Sequence, residues 1–77
     1  MSDTVDLRGV VCPLNFVKAK LAIEAVEPGA ELQILLDDGE PVQNVPRSLA
    51  DEGHAVVSLQ RREDAATWVL QVRKAEA

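Results

Sequence analysis

TVDLRGVVCPLNFVKAKLAIEAVEPGAELQILL, residues 4–36, decides the fold. Thr4 to Leu7 reads as a short strand, stopped by Arg8-Gly9. Pro13 to Val26 then reads as a helix, because Phe16, Ala19, Ile23 and Val26 recur on one face of a 3.6-residue period. Pro28-Gly29 ends it, and Glu31 to Leu36 is a strand rich in Ile and Leu. A second apolar lane, Leu14, Val17, Leu21 and Ala25, runs along the other side of the helix. It is either covered like most apolar surface or left open as a docking strip.

Beyond this stretch, Asp37-Asp38-Gly39-Glu40-Pro41 reads as a turn cluster. A second helix is expected from an Asn44 cap to about Glu52, with Pro46 in its first turn and Gly53 closing its end. His54 to Gln60 and Thr67 to Arg73 read as strands joined by the polar turn Arg61 to Ala66. The order is β-α-β-α-β-β. Helices this short must bury their apolar faces on a sheet, so the chain is expected to be a two-layer α/β sandwich of the α+β type. Its 77 residues allow one domain, residues 1–77, and leave little room for a deep pocket beside a core.

The charge balance limits partners. Thirteen acidic residues against eight basic give a net charge of −5, which disfavours nucleic acid and anionic lipid. The basic pairs Arg61-Arg62 and Arg73-Lys74 lie beside acids, and only Phe16 and Trp68 could stack on bases. One cysteine cannot form an internal disulfide, and with one distant histidine no metal site is expected. Met1 to Asp6 lacks the basic-then-apolar pattern of a secretory leader, and no apolar run approaches the roughly 18 residues that span a bilayer. A cytoplasmic protein with a reduced thiol is expected.

That thiol is the candidate reactive group. A right-handed β-α-β crossover brings the carboxyl ends of the first two strands to one sheet edge, so Cys12 is expected near Asp37 and Asp38. Cys12 precedes Pro13, and proline is at home at the first helical position, which makes Cys12 the expected N-cap. Its sulfur would face free N–H groups and the positive end of the helix dipole, both of which favour an anion. An unperturbed thiol is only about a tenth ionised at pH 7.5, and one unit of depression makes it about half thiolate. The two aspartates would oppose that shift. The competing reading is a cysteine packed as an inert small hydrophobe.

Asp6-Leu7-Arg8-Gly9-Val10-Val11-Cys12-Pro13 resembles the N-terminal signature of the TusA (SirA-like) family of small sulfur carriers. The likeness continues through Lys20, Pro28-Gly29, Asp37-Asp38, Asn44-Val45-Pro46 and Gly53-His54. It implies two helices on one face of a four-stranded mixed sheet. It also implies a sulfurtransferase-type carrier that takes sulfane sulfur as a persulfide on Cys12. The implied donor is a cysteine desulfurase, a rhodanese-like or a DsrE-like protein, and the implied acceptor is another protein, for example towards tRNA thiolation. No cofactor is implied. Asp37 and Asp38 would lie on the rim that partners see.

Members usually carry Cys-Pro-X-Pro, and here Asn15 replaces the second proline. Asn15 restores a backbone N–H and adds an amide that could reach the Cys12 sulfur; alternatively it is simply tolerated near a helix start. Pro13, Leu14 and Asn15 thus form the expected supporting helix end. Arg8 could steady a transferred anion or be a solvated loop arginine. His54 receives no catalytic role, and Trp68 is expected to pack in a strand. The alternative class is a non-catalytic interaction or regulatory module of the same fold.

Overall fold

The structure, a computed structural model, describes residues 3–11, 13–63 and 66–75. In chain order the elements are β1 (Asp3–Asp6), α1 (Leu14–Ala25), β2 (Glu31–Asp37), α2 (Glu40–Asp51), β3 (Ala55–Arg61) and β4 (Thr67–Arg73). The sheet order is β1-β2-β4-β3, with β1 and β2 parallel and the other pairs antiparallel. The expected β-α-β-α-β-β mixed sheet is therefore present.

Alternation along β2 shows which side of the sheet is covered. Leu32, Ile34 and Leu36 are buried, and their register partners include Leu70 and Val72 of β4. These five join Ala19 and Ile23 of α1 and Val45 and Leu49 of α2 in one core. Each such aliphatic side chain contributes on the order of 2 kcal/mol by leaving water. The opposite sheet face carries Leu35 and Val69 between polar pairs. There Thr4 donates to Gln33 at 3.4 Å, and Glu31 receives Arg73 at 3.0 Å and Gln71. No helix among the described residues is long and apolar enough to cross a membrane.

Two helix starts differ from the sequence reading. α1 begins at Leu14 with Pro13 as its N-cap, so the cap is one residue later than the Cys12 position expected. The physical reason is that the Pro13 carbonyl, accepting from Val17 N–H at 3.2 Å, opens the helical ladder. α2 begins at Glu40, four residues before Asn44, which is an exposed mid-helix residue and not a cap. Gly39, at φ 99°, supplies the chain reversal that starts it, a conformation costly for any residue with a Cβ. Pro41 then sits in the first turn, and Glu40 complements the helix dipole there. Pro46 consequently lies inside the helix, where it removes one backbone bond. Its burial with Val45 and Leu49 against the core is the packing gain that offsets this.

Candidate functional site

The parallel β1–β2 pair brings two loops together at its carboxyl edge. Gly9, Val10 and Val11 from one loop, with Asp37, Asp38, Glu40 and Pro41 from the other, line a cleft of about 290 Å³. A broader depression of about 720 Å³ at the β3–β4 hairpin is bounded by Gln60, Arg61, Arg62, Glu63 and Val69 and shares none of those residues. Cys12 itself lies outside the described residues. What the structure gives is the chain on both sides of it.

Upstream, each backbone N–H from residue 7 to residue 10 is engaged. Leu7 donates to Leu35 carbonyl at 2.9 Å, prolonging the β1–β2 ladder by one bond. Arg8 N–H donates to Asp6 Oδ1 at 3.0 Å, and Gly9 N–H to Asp37 Oδ2 at 2.6 Å. Val10 N–H closes onto Leu7 carbonyl at 3.2 Å. Gly9 adopts φ 80°, so the turn that aims its N–H at Asp37 favours a residue without a side chain. Downstream, Asn15 N–H donates to Val11 carbonyl at 3.1 Å.

Charge reinforces this turn. Arg8 forks onto Asp6, with Nε to Oδ1 at 2.9 Å and a terminal nitrogen to Oδ2 at 2.7 Å. The Arg8 side chain, then its backbone N–H, holds the Asp6 carboxyl at about 2, below its usual 3.8. Arg8 is thus tied into the turn by its own neighbour. The acidic turn is braced from β3 and β4: Trp68 Nε1 donates to Asp38 Oδ1 at 2.9 Å, and Arg61 stacks 4.8 Å above the Trp68 ring. Arg61 also approaches Asp38 at 3.6 Å. Asp37 and Asp38, expected together on the rim of the site, do line one cleft, and each also serves an internal partner.

The start of α1 is less open than the sequence reading has it. Asn15 N–H is taken by Val11, Phe16 N–H by the Asn15 side-chain oxygen at 2.7 Å, and Val17 N–H by Pro13. Among the described residues, the Leu14 N–H is the first-turn donor left without a partner. Asn15 is fully buried, and its Nδ2 also has no hydrogen-bond partner among them. A buried unsatisfied donor costs about 1–3 kcal/mol, which is unusual in a native core. Behind this turn the second apolar lane stays open. Leu14, Val17 and Leu21 are 48%, 46% and 61% exposed, and Val11, just before Cys12, is 72% exposed.

Sequence reasoning misses three contributors. Trp68 and Arg61 are some thirty and twenty residues from Asp38, and nothing in the local pattern signals their contact with it. Glu40 reads as part of a turn but begins α2 at the cleft wall. Asp6, by contrast, lies two residues before Arg8, a spacing that does carry a readable turn signal.

The family profile described as "Sulfurtransferase TusA" matches residues 3–74. This chain belongs to the TusA family. Two relatives agree with that placement. A candidate sulfur carrier protein of Archaeoglobus fulgidus is 34% identical over 73 residues, covering 95% of this chain and 82% of the relative. A candidate sulfur carrier protein of Escherichia coli, TsuB, is 37% identical over 71 residues, covering 92% and 93%. The TusA fold is also seen in solved structures. A SirA-like protein from Desulfitobacterium hafniense superposes with a TM-score of 0.79 at 24% identity, over 95% of this chain and 97% of that one. A Helicobacter pylori protein solved in solution gives 0.74 at 22% identity, with the same coverages. Within this TusA-family chain, the buried amide of Asn15 occupies the place where the second proline of the Cys-Pro-X-Pro pattern is expected.

Proposed function

We propose that this chain carries sulfane sulfur as a persulfide on Cys12 and relays it between proteins. The observation that carries the reading is the cleft at the carboxyl edge, which Gly9, Val10 and Val11 line on the way to Cys12, together with exposed Leu14, Val17 and Leu21 on the helix that follows. Family membership and the sulfur-carrier names of the relatives support it.

In the loading step the Cys12 thiolate attacks the outer sulfur of a donor persulfide, R–S–SH. A bond forms between Cys12 Sγ and that sulfur while the donor's S–S bond breaks, so R–S⁻ leaves and Cys12–S–SH remains. Delivery is the same exchange with an acceptor thiolate attacking the outer sulfur and Cys12 thiolate leaving. No net oxidation occurs and no cofactor or metal is needed. Pro13, Leu14 and Asn15 are assigned the helix end that favours the anionic sulfur. The Leu14 N–H and the Asn15 Nδ2 are donors without partners among the described residues, and the dipole of α1 acts in the same direction.

The partners are a sulfur donor (a cysteine desulfurase, a rhodanese-like or a DsrE-like protein) and an acceptor protein. Exchange between two thiols requires the partner to cover the surroundings of residue 12, and the exposed lane of α1 starts there. Donor and acceptor therefore dock in turn on that lane, with Asp38 and Glu40 at the margin. A reducing compartment such as the cytoplasm suits this chemistry.

Incubation with a cysteine desulfurase and cysteine should add one sulfur to the intact mass, removable by reductant. Cys12→Ser should add none, and an equal gain in that variant would overturn the site. The exposed lane also favours a second reading, a docking module in which the thiol is incidental. An ordinary, slow reaction of Cys12 with a small disulfide at neutral pH would favour that reading.

A further inference from the structure

We propose that Asp37 is a positioning residue for Cys12, acting through the Gly9 N–H rather than as a rim charge offered to partners. The inference rests on the persulfide reading for its functional consequence, but its structural half stands apart from it.

Asp37 closes β2, and its Oδ2 accepts the Gly9 N–H at 2.6 Å across 28 residues of sequence. This is a charge-assisted bond, of the stronger kind. It reaches the turn at a residue held at positive φ, Gly9 at 80°. The neighbouring N–H groups of Leu7, Arg8 and Val10 make their bonds inside the β1–β2 ladder or within the turn itself. The Gly9 bond instead ties the turn to a side chain of the opposite loop. The Asp37 side chain is therefore a strut between the two walls of the cleft.

This turn matters because it leads straight into the thiol. Val10 and Val11 run directly to Cys12, and Val11 carbonyl is fixed by Asn15 N–H on the far side. Gly9 and Val11, the residues that lead into Cys12, are thus both held, one by Asp37 and the other by Asn15. Thiol–disulfide exchange needs three sulfurs in line, so a reacting atom held in place gains rate without any change in its intrinsic reactivity. The acidic turn then has divided tasks. Asp37 braces the loop, and Asp38, which is exposed and itself braced by Trp68, faces outward.

The discriminating pair is Asp37→Asn and Asp37→Ala. Asparagine keeps an oxygen that accepts from Gly9 and removes the charge; alanine removes both. Three quantities are measured in each: hydrogen exchange of the Gly9 amide, the Cys12 thiol titration, and the rate of sulfur transfer from a cysteine desulfurase. Positioning predicts that Gly9 exchange and sulfur transfer change together, and less in Asp37→Asn, which keeps an acceptor, than in Asp37→Ala. In Asp37→Ala, exchange should quicken and transfer should slow by about tenfold, the scale of one such bond. A rim charge predicts instead that both variants change transfer and thiol titration together, with Gly9 exchange tracking neither; that result overturns the proposal. Should the alanine variant not fold, Asp37→Val makes the same deletion with a stronger strand former. If wild type accepts no sulfur while Gly9 exchange still separates the two variants, the persulfide reading fails and the strut survives.

Discussion

α1 and α2 are each twelve residues long and lie on the same face of the sheet, yet they meet solvent in opposite ways. α2 divides cleanly. It buries Val45, Pro46 and Leu49 and exposes Gln43, Asn44, Arg47 and Asp51. α1 buries Asn15, Ala19 and Ile23 and exposes Leu14, Val17 and Leu21. One helix thus places a polar amide inside with Ile23 and leaves three large aliphatic groups outside, while its neighbour obeys the ordinary amphipathic rule. A helix whose only task is to cover a sheet has no use for α1's arrangement. The exception falls on the helix directly after Cys12, where the proposed sulfur relay would use exposed apolar surface for docking and an unsatisfied donor beside an anion.

The contrast can be broken first at its structural pole. Leu49→Ala in α2 removes a fully buried side chain and should cost about 2–5 kcal/mol, read as a large drop in the thermal unfolding midpoint. Leu21→Glu in α1 should change stability by no more than about 0.5 kcal/mol. It should instead slow sulfur acceptance from a cysteine desulfurase by roughly tenfold, as loss of an interface anchor does. If Leu21→Glu unfolds the domain as readily as Leu49→Ala, the exposed lane is structural and the comparison collapses.

Asn15→Leu sharpens the same contrast from inside. Replacing a buried amide whose Nδ2 has no partner among the described residues by an aliphatic group of similar volume should raise stability by about 1 kcal/mol, measured in denaturant. The Cys12 thiol should titrate at higher pH in that variant, because a donor near the helix start is gone. A stabilised protein with unchanged thiol titration would remove Asn15 from the site while leaving its stability cost unexplained.

The smallest effect concerns how each helix is approached. The turn before α1 is held by the Asp6–Arg8 fork, while the turn before α2 relies on Gly39. The Asp6 carboxyl titrates at about 2 in the folded protein against an ordinary 3.8. A depressed folded value means that this contribution is complete above pH 4 and is lost as pH falls from about 4 to 2. Acid titration of stability should therefore show a modest decline in that window that Asp6→Asn lacks. The pair is exposed and screened by solvent, so added salt should shrink the decline further.

The element order, both core helices and the juxtaposition of the two loops were legible in the chain. They come from local rules: the 3.6-residue spacing of Ala19 and Ile23, the alternation of Leu32, Ile34 and Leu36, and the handedness of a parallel crossover. The start of α2 was not, because Pro46 looks like a first-turn proline when only sequence neighbours are considered. Burial of Pro46 against the core compensates for the backbone bond it forfeits, and no local rule counts that burial.

Local periodicity thus determined which residues become helix and strand, and the handedness of the β-α-β crossover determined which two loops meet. Tertiary structure alone decided which lane of α1 stays in water, that Asn15 turns inward, and that Asp37 reaches Gly9 while Trp68 reaches Asp38. The reason is range. Periodicity and turn propensity act over a few residues, whereas each of those outcomes depends on what a distant segment of the chain brings alongside.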